Sequence, residues 1–309
     1  MEYFYSITDS FGCVHSIDMI YVEYFSLCNP QGIIEIVQKI HEDYPLVKYQ
    51  EFLGRVPHSK WNYYTDGISI GGVYISAGKY NNYDPVTRTF DLLPMFEIRV
   101  NPNKHMNEPW FRDMLSRLLE FASSGMLRKF DYAVDISKPL KFVQVLDTRK
   151  EPGLYKGTRY YGQAGRHGYV KIYDKQKDMK RQGESIDALT RVEHTLFANQ
   201  EPSLENVYVL SNAHLETDYS NLKDTDRAII DMFLRLKAHG YDYDLKLGRR
   251  KMKSLEPYLQ GQYQKLDYGN FLGVLVENIK REFHAMDVSV DEDGFVHVDE
   301  SAIDDLPFD

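Results

Sequence analysis

Apolar and polar residues alternate along much of the first hundred positions, with the period of a β-strand rather than of a helix. The alternation is strict over residues 95–100, and residues 15–25 are rich in β-branched and aromatic side chains. Residues 68–80 predict two short strands that Gly71 and Gly72 separate. These patterns predict a sheet of several strands in the first third of the chain.

Two segments of the same region have apolar residues at helical spacing. The first covers residues 30–41, and the second covers residues 110–125 with Gly125 as its predicted C-terminal stop. The apolar face of the second helix is formed by Phe111, Met114, Leu118 and Phe121.

The rest of the chain predicts more strands and then a change of character. The strands are predicted over residues 131–136, 160–161, 168–173, 191–196 and 207–210. After Leu222 the pattern becomes helical, which predicts a small helical domain over 216–286 and an acidic, disordered tail over 287–309. We therefore predict an α+β fold, in which residues 1–215 form a large mixed or antiparallel, curved sheet with helices on one face.

Composition restricts the class of protein. A hydrophobic content of 43% with 27% charged residues is typical of a folded soluble chain. Cys13 and Cys28 are too few for a disulfide framework, and their spacing fits no zinc motif. No stretch approaches about 18 consecutive apolar residues, and the first residues lack a basic segment, so we expect a cytoplasmic protein that does not contact a membrane.

Charge is distributed unevenly along the chain. The formal net charge is −9, but residues 287–309 contain nine acids and no Lys or Arg, so the remainder is neutral. Residues 137–183 contain twelve Lys and Arg residues against four acids, about +8 locally. Such a density favours phosphate binding, although a solvated charged face would have the same composition.

Acidic residues occur within predicted strands that are otherwise apolar. Asp131 and Asp135 point to the same face of one strand, where a divalent cation would relieve their repulsion. An edge strand facing water is the alternative explanation. Glu193 shares a strand face with Arg191, which fits either a metal ligand or a structural salt bridge.

The same arrangement recurs earlier in the chain. Glu97 shares a strand face with Arg99, and we consider Glu97 a weaker metal candidate.

Tyrosines are the candidate nucleophiles. Tyr173 follows Lys171 by two residues and precedes Lys175 by two, so both lysines would flank it on one face if the strand continues. Nearby cations favour a phenolate and stabilise a pentacovalent phosphorus. A packing role for Tyr173 remains open, and the rival tyrosines are Tyr160, Tyr161 and Tyr169.

Four short motifs occur in a fixed order. They are Asp131 and Asp135 four residues apart, Thr158-x-Tyr160-x-Gly162, Ile172-Tyr173-Asp174-Lys175, and Arg191-x-Glu193. This ordered set resembles the rolling-circle replication initiators of the Rep_trans type, which occur in plasmids, integrative elements and some filamentous phages. The resemblance is good over residues 130–196 and loose over 15–210.

The resemblance implies a site-specific, metal-dependent DNA nickase that opens and rejoins origin DNA through a 5′-phosphotyrosine intermediate. It implies Tyr173 as the nucleophile, assisted by Lys175. It also implies Mg²⁺ or Mn²⁺ as the cofactor, with a set of carboxylate ligands formed by Asp131, Asp135 and Glu193. A relaxase with a His-hydrophobic-His metal site is disfavoured, because no two histidines here are separated by one residue.

The partners implied are double-stranded and single-stranded origin DNA, a host helicase and a second copy of the chain. The candidate DNA-binding residues are Arg159, Arg166, Lys171, Arg191, Arg249, Arg250 and Lys251. The last three open a predicted helix, where basic residues oppose the helix dipole unless phosphate binds them or water solvates the helix end. The alternatives to a nickase are a non-catalytic DNA-binding regulator on the same scaffold and an unrelated metal-dependent phosphoesterase.

Overall fold

The structure is a computed structural model of the 309-residue chain. It describes residues 5–52, 64–84, 89–145, 152–181, 183, 187–211, 218–238, 240–241, 246–286, 288–290 and 296–298.

Seventeen strands occur in these residues. They are β1 Ser6–Thr8, β2 Val14–Ser26, β3 Tyr49–Phe52, β4 Tyr64–Ile70, β5 Val73–Asp84, β6 Thr89–Val100, β7 Ala122–Ile136, β8 Val143–Val145, β9 Gly153–Tyr155, β10 Thr158–Tyr161, β11 Tyr169–Asp174, β12 Thr190–Phe197, β13 Val207–Ser211, β14 Gln262–Lys265, β15 Ala285–Met286, β16 Val288–Val290 and β17 Val296–Val298.

Seven α-helices occur in the same ranges. They are α1 Pro30–Asp43, α2 Pro102–His105, α3 Pro109–Leu119, α4 Lys175–Arg181, α5 Asp224–Ala238, α6 Arg249–Leu259 and α7 Phe271–Glu282. None of them is long and apolar enough to cross a bilayer.

Twelve of the described strands form one large sheet. Its order is β3-β4-β5-β6-β2-β7-β12-β11-β10-β9, with β1 beside β2 and β15 beside β7. The pairings are antiparallel except that of β15 with β7. The predicted α+β class is therefore confirmed, and the long strands β2 and β7 lie at its centre.

The two faces of this sheet differ in polarity, because successive side chains of a strand point to opposite faces. On one face Ile20, Val22 and Tyr24 of β2 are buried in a core shared with helices α1, α3 and α7. The ring of Phe111 in α3 lies 6.3 Å from that of Phe283, which directly follows α7. The opposite face carries polar side chains and contains the candidate site.

Local sequence explains where α1 begins and which side of it is buried. The Asn29 side chain accepts a hydrogen bond of 2.9 Å from the Gly32 amide, and Pro30 occupies the first turn. The buried residues of the helix are Ile33, Ile34, Val37 and Ile40.

The predicted helix over residues 110–125 is correct only in its first part. Helix α3 ends at Leu119, and residues from Ala122 onward pair with β2 as part of β7. Gly125 is not a helix stop but a site of close packing, since a Cβ there would lie 2.6 Å from the Tyr24 ring. The extensive pairing with β2 outweighs the helical spacing of the last turn.

A second, three-stranded sheet is formed by β14, β13 and β8. It is adjacent to a small core of Phe142, Leu210, Ile230, Leu234 and Leu255 that includes residues of α5 and α6.

The segment predicted as one helical domain contacts both cores. Helix α7 packs on the main sheet, where Leu275 and Ile279 are buried and the Tyr24 hydroxyl donates a 2.6 Å hydrogen bond to the Phe283 carbonyl. In the segment predicted as a tail, β16 pairs with β17. The other residues of 287–309 lie outside the described part of the chain.

Candidate active site

Six of the predicted site residues lie on the polar face of the three adjacent strands β7, β12 and β11. Strand register places Asp135 opposite Arg191, which is in turn opposite Tyr173. The same register places Glu193 opposite Lys171. Residues that are about 20 to 60 positions apart in sequence therefore share one surface.

Glu193 is the centre of this arrangement. Its carboxylate forms an ion pair with the Lys171 ammonium, and the residue is only 5% exposed. Burial raises the pKa of Glu193, the Lys171 charge lowers it, and the nearby Asp131 charge raises it again, with a net increase. Burial disfavours the charge of Lys171, but Glu193 and Asp131 hold its pKa above the ordinary value.

Asp131 is fixed by a neighbouring strand. The Thr195 hydroxyl donates a 2.7 Å hydrogen bond to its carboxylate, and the side chain is half-buried. Asp131 and Glu193 therefore form a pair of carboxylates on adjacent strands, and the positive charge of Lys171 interacts with both of them.

Tyr173 lies beside this pair. Its hydroxyl donates a 3.4 Å hydrogen bond to Glu193, and the ring is half-buried. Burial and the negative charge of Glu193 raise the pKa of Tyr173 well above its ordinary value. The phenol is therefore protonated at neutral pH and has a carboxylate as its hydrogen-bond acceptor.

Asp135 has a different environment from Asp131 and Glu193. Both of its oxygens accept hydrogen bonds of 2.6 Å from the Arg191 guanidinium, which also contacts Asp18 at 3.0 Å. Arg191 is 8% exposed, and although burial disfavours its charge, the two carboxylates raise its pKa. Arg191 is thus held inside the site by two acids and is not directed towards solvent.

The predicted three-carboxylate metal site is not assembled in the described residues, which contain no group of three or more His, Cys, Asp or Glu side chains able to hold a metal. Asp135 is bound in bidentate fashion to Arg191 instead. Asp131 and Glu193 still fit a hard cation, because Mg²⁺ is commonly held by one or two carboxylates together with water and substrate phosphate. The negative charge of Asp131 contributes to the raised pKa of Glu193, and a bound cation would relieve this repulsion.

The rival tyrosines divide between the two faces. Tyr161 is 5% exposed and belongs to the apolar core, so it lies on the opposite side of the sheet from Glu193. Tyr160 and Tyr169 are on the polar face, with their rings stacked 6.2 Å apart.

Lys175 does not lie where the strand pattern predicts. Strand β11 ends at Asp174, and Lys175 begins helix α4, whose start is fixed by a 2.9 Å bond from the Lys175 amide to the Leu189 carbonyl. The expectation that Lys175 extends the face of Tyr173 is wrong, because the chain leaves the sheet at that point. Lys171 is the lysine that the sheet places beside Glu193.

The candidate DNA-binding residues outside the central strands differ in their contacts and in their exposure. The Arg159 guanidinium donates a 2.6 Å hydrogen bond to the Val143 carbonyl, and Lys251 is ion-paired with Asp226. Three residues are exposed, namely Arg166, Arg249 and Arg250.

Sequence reasoning missed two acids of the polar face. Asp18 contacts Arg191, and Glu23 lies directly opposite Glu97 on β6. Both belong to an apolar strand, so the argument used for Asp131 would have identified them. Glu23 is ion-paired with Arg128 and accepts a 2.9 Å hydrogen bond from Tyr64.

Tyr21 was also missed. Its ring lies 4.6 Å from the Arg99 guanidinium carbon and 4.6 Å from the Lys129 ammonium. Burial raises its pKa, Arg99 lowers it, and Asp131 and Glu97 raise it. Tyr21 is therefore close to both acidic pairs of the face.

No protein-family model matches this chain, and comparison with curated proteins finds no match. Among solved structures, the chain is similar to the rolling circle replication initiator protein from Geobacillus stearothermophilus, with 13% identity and a TM-score of 0.33. The likeness covers 86% of this chain and 97% of the other.

Proposed function

We propose that this protein initiates rolling-circle replication by nicking and rejoining one strand of origin DNA, with Tyr173 as the nucleophile. The observation that carries the proposal is the hydrogen bond of 3.4 Å from the Tyr173 hydroxyl to Glu193, beside Asp131 and Lys171 on one face. Transesterification at phosphorus needs a nucleophile, a proton acceptor and positive charge for the phosphate, and this group of side chains offers all three.

Glu193 accepts the phenolic proton in this proposal. Since burial raises the pKa of both Tyr173 and Glu193, the phenol keeps its proton until a base removes it, and Glu193 is a stronger base than an ordinary carboxylate. The phenolic oxygen forms a bond to phosphorus as the bond from phosphorus to the 3′ oxygen breaks. The 3′ oxygen leaves and takes a proton from solvent water to become a hydroxyl, Glu193 keeps the phenolic proton until it returns it to solvent, and the 5′ phosphate remains on Tyr173.

Lys171 and the carboxylates provide the charge balance. The Lys171 ammonium is positioned to stabilise the negative charge that grows on the phosphate oxygens. Asp131 and Glu193 would hold Mg²⁺ or Mn²⁺, which when bound supplies further positive charge to the phosphate. Arg191 pairs with both Asp135 and Asp18 in the same region and balances one of their two negative charges.

Binding of double-stranded origin DNA is assigned to the exposed cations. Arg166 lies in the loop between β10 and β11, and Arg249 and Arg250 begin α6. The double variant Arg249→Ala, Arg250→Ala should lower the slope of log affinity against log salt by about two. A host helicase and a second copy of the chain are partners that the family resemblance adds to this proposal.

The test uses a supercoiled plasmid that carries the gene with its flanking DNA. Incubation with Mn²⁺ or Mg²⁺ should convert it to the nicked form, EDTA should prevent this, and mass spectrometry should find the DNA adduct on the peptide of Tyr173. Tyr173→Phe should abolish the adduct. Tyr161→Phe is the matched control, because this residue lies on the apolar face.

An adduct on Tyr21, Tyr160 or Tyr169 would reassign the nucleophile and leave the reaction in place. Binding of the same DNA without cleavage under any metal would instead support the second candidate, a non-catalytic DNA-binding regulator. The observation that favours this second candidate is the occupation of both Asp135 oxygens by Arg191.

A further inference from the structure

Three tyrosines on the outer strands of the main sheet lie on the same face as Glu193. We propose that Tyr155, Tyr160 and Tyr169 form a stacking row that holds the single-stranded DNA leading to Tyr173. This inference rests on the proposed nicking function and adds the path of the substrate strand.

The register of the strands defines the row. Tyr160 is opposite Lys171, whose partner on the next strand is Glu193. Tyr155 is opposite Thr158, two residues before Tyr160, so both tyrosines share the face of Lys171. Tyr169 precedes Lys171 by two residues and joins them. The row therefore extends over β9, β10 and β11, where neighbouring strands are about 4.8 Å apart.

The rings are arranged for stacking and are open to solvent in part. Those of Tyr160 and Tyr169 are 6.2 Å apart with an angle of 15° between their planes. Tyr155 is 62% exposed, which is unusual for a large aromatic side chain in a strand. An aromatic surface that presents its faces in a series offers a platform to successive bases.

Cations accompany the rings. The Lys156 ammonium lies 5.1 Å from the centre of the Tyr155 ring, and Arg166 is exposed in the loop between β10 and β11. The turn that joins β9 to β10 has positive φ angles at Lys156 (49°) and Gly157 (83°), as in the tight turns that suit the twist of a hairpin. Tyr155 is thus presented by a short hairpin.

Single-stranded DNA is the occupant that fits this chemistry best. The bases of a duplex are stacked on one another and have no free faces, whereas those of a single strand can stack on tyrosine. The charge of the segment from residue 137 to 183, about +8, matches a polyanion. The row also continues directly into the site of Glu193 and Lys171, where the strand would be cut.

The test measures binding of a fluorescein-labelled oligothymidylate by fluorescence anisotropy in EDTA. All variants are made in the full chain carrying Tyr173→Phe, so that no cleavage occurs. Tyr155→Ala and Tyr169→Ala should each weaken binding about 5- to 100-fold, since base stacking on an aromatic side chain contributes this much. Tyr155→Phe should bind like the parent, because it keeps the ring.

Leu46→Ala is the surface control, since this side chain is fully exposed between α1 and β3. Circular dichroism checks the fold of each variant, and the exposed position of Tyr155 makes its variants safe for folding. Parent-like affinity of Tyr155→Ala and Tyr169→Ala would overturn the inference, as would an equal loss in Tyr155→Phe.

The two proposals fail in different ways. Loss of oligothymidylate binding in the alanine variants, together with a wild-type chain that never nicks plasmid DNA, would retain the stacking row and reject the nicking function. Unchanged binding together with an adduct on Tyr173 would reject the row and retain nicking.

Discussion

The polar face of the main sheet carries two pairs of acids that share a layout and differ in the burial of one member, Asp131. Asp131 and Glu193 lie on the adjacent strands β7 and β12, while Glu23 and Glu97 lie on the adjacent strands β2 and β6. Each pair has a cation and a tyrosine hydroxyl as partners. For the first pair these are Lys171 and Tyr173, and for the second they are Arg128 and Tyr64.

Burial separates the functions that the two pairs can have. Glu23 and Glu97 are directly opposed and are 5% and 7% exposed, and Tyr64 is 6% exposed. Burial raises the pKa of Glu97 to about 7, Arg99 opposes this, and the charge of Glu23 adds to it. Such a pair relieves its repulsion by taking up a proton. Asp131 is only half-buried, so a cation can reach the first pair and relieve its repulsion instead.

Removal of an internal cation should destabilise the two regions to different extents, and this is the largest difference that we expect. Arg191→Ala leaves Asp135 and Asp18 without their partner in a largely buried site, and we expect it to lower the free energy of unfolding by about 3–5 kcal/mol. Arg99→Ala should cost about 1 kcal/mol, because Glu97 can take up a proton when Arg99 is absent. Urea unfolding at neutral pH measures both values.

Equal losses in the two variants would contradict this part of the comparison. They would show that Glu97 depends on Arg99 as strongly as Asp135 and Asp18 depend on Arg191.

Neutralising one acid of each pair should affect catalysis unequally. In the proposed mechanism Glu193 is the proton acceptor and one of two metal ligands, so we expect Glu193→Gln to lower the rate of plasmid nicking about 100- to 1000-fold. Glu97→Gln should nick at nearly the wild-type rate, because Glu97 is buried away from Tyr173. A comparable loss in Glu97→Gln would assign the Glu23–Glu97 pair to the reaction.

The sequence predicted the strands of this face better than it predicted their contacts. Alternation and the acids in apolar segments were sufficient to predict the second halves of β6 and β7 and most of β11 and β12. The bidentate bond of Asp135 with Arg191 depends on strand register between distant segments, which no local pattern determines.

Two further errors concern single residues. Lys175 was expected on the strand because a period of two does not indicate where a strand ends and a helix begins. The local pattern predicts Gly125 as a helix stop. The structure requires a glycine there because Tyr24 approaches closely, and Tyr24 belongs to a strand about 100 residues away that no local pattern indicates.

Acidity should stabilise the Glu23–Glu97 region. The pKa of Glu97 is about 7 in the folded protein against an ordinary value of 4.5, so between these values the folded state binds more protons than the unfolded state. The contribution of this proton uptake to the free energy of unfolding is up to about 3 kcal/mol. It is present in full below about pH 4.5 and is lost as the pH rises to about 7.

Glu97→Gln removes this titration. The free energy of unfolding of the variant minus that of the wild type should be larger at pH 8 than at pH 5, as measured by urea unfolding at both pH values. A difference between variant and wild type that does not change with pH would mean that Glu97 has an ordinary pKa in the folded state.

The smallest expected effect concerns the orientation of Asp131. The Thr195 hydroxyl bonds this carboxylate at 2.7 Å, and groups that orient a metal ligand typically contribute about 10-fold to metal affinity. Thr195→Val should therefore raise the Mn²⁺ concentration needed for half-maximal nicking about 10-fold, with little change in the maximal rate. Thr190→Val is the matched control, because Thr190 is buried on the same strand but bonds the Lys138 carbonyl at 2.7 Å. If both variants required the same extra Mn²⁺, the effect would come from the strand as a whole. If neither did, Asp131 would not hold the metal, and the difference between the two acidic pairs would then depend on Glu193 and Lys171 alone.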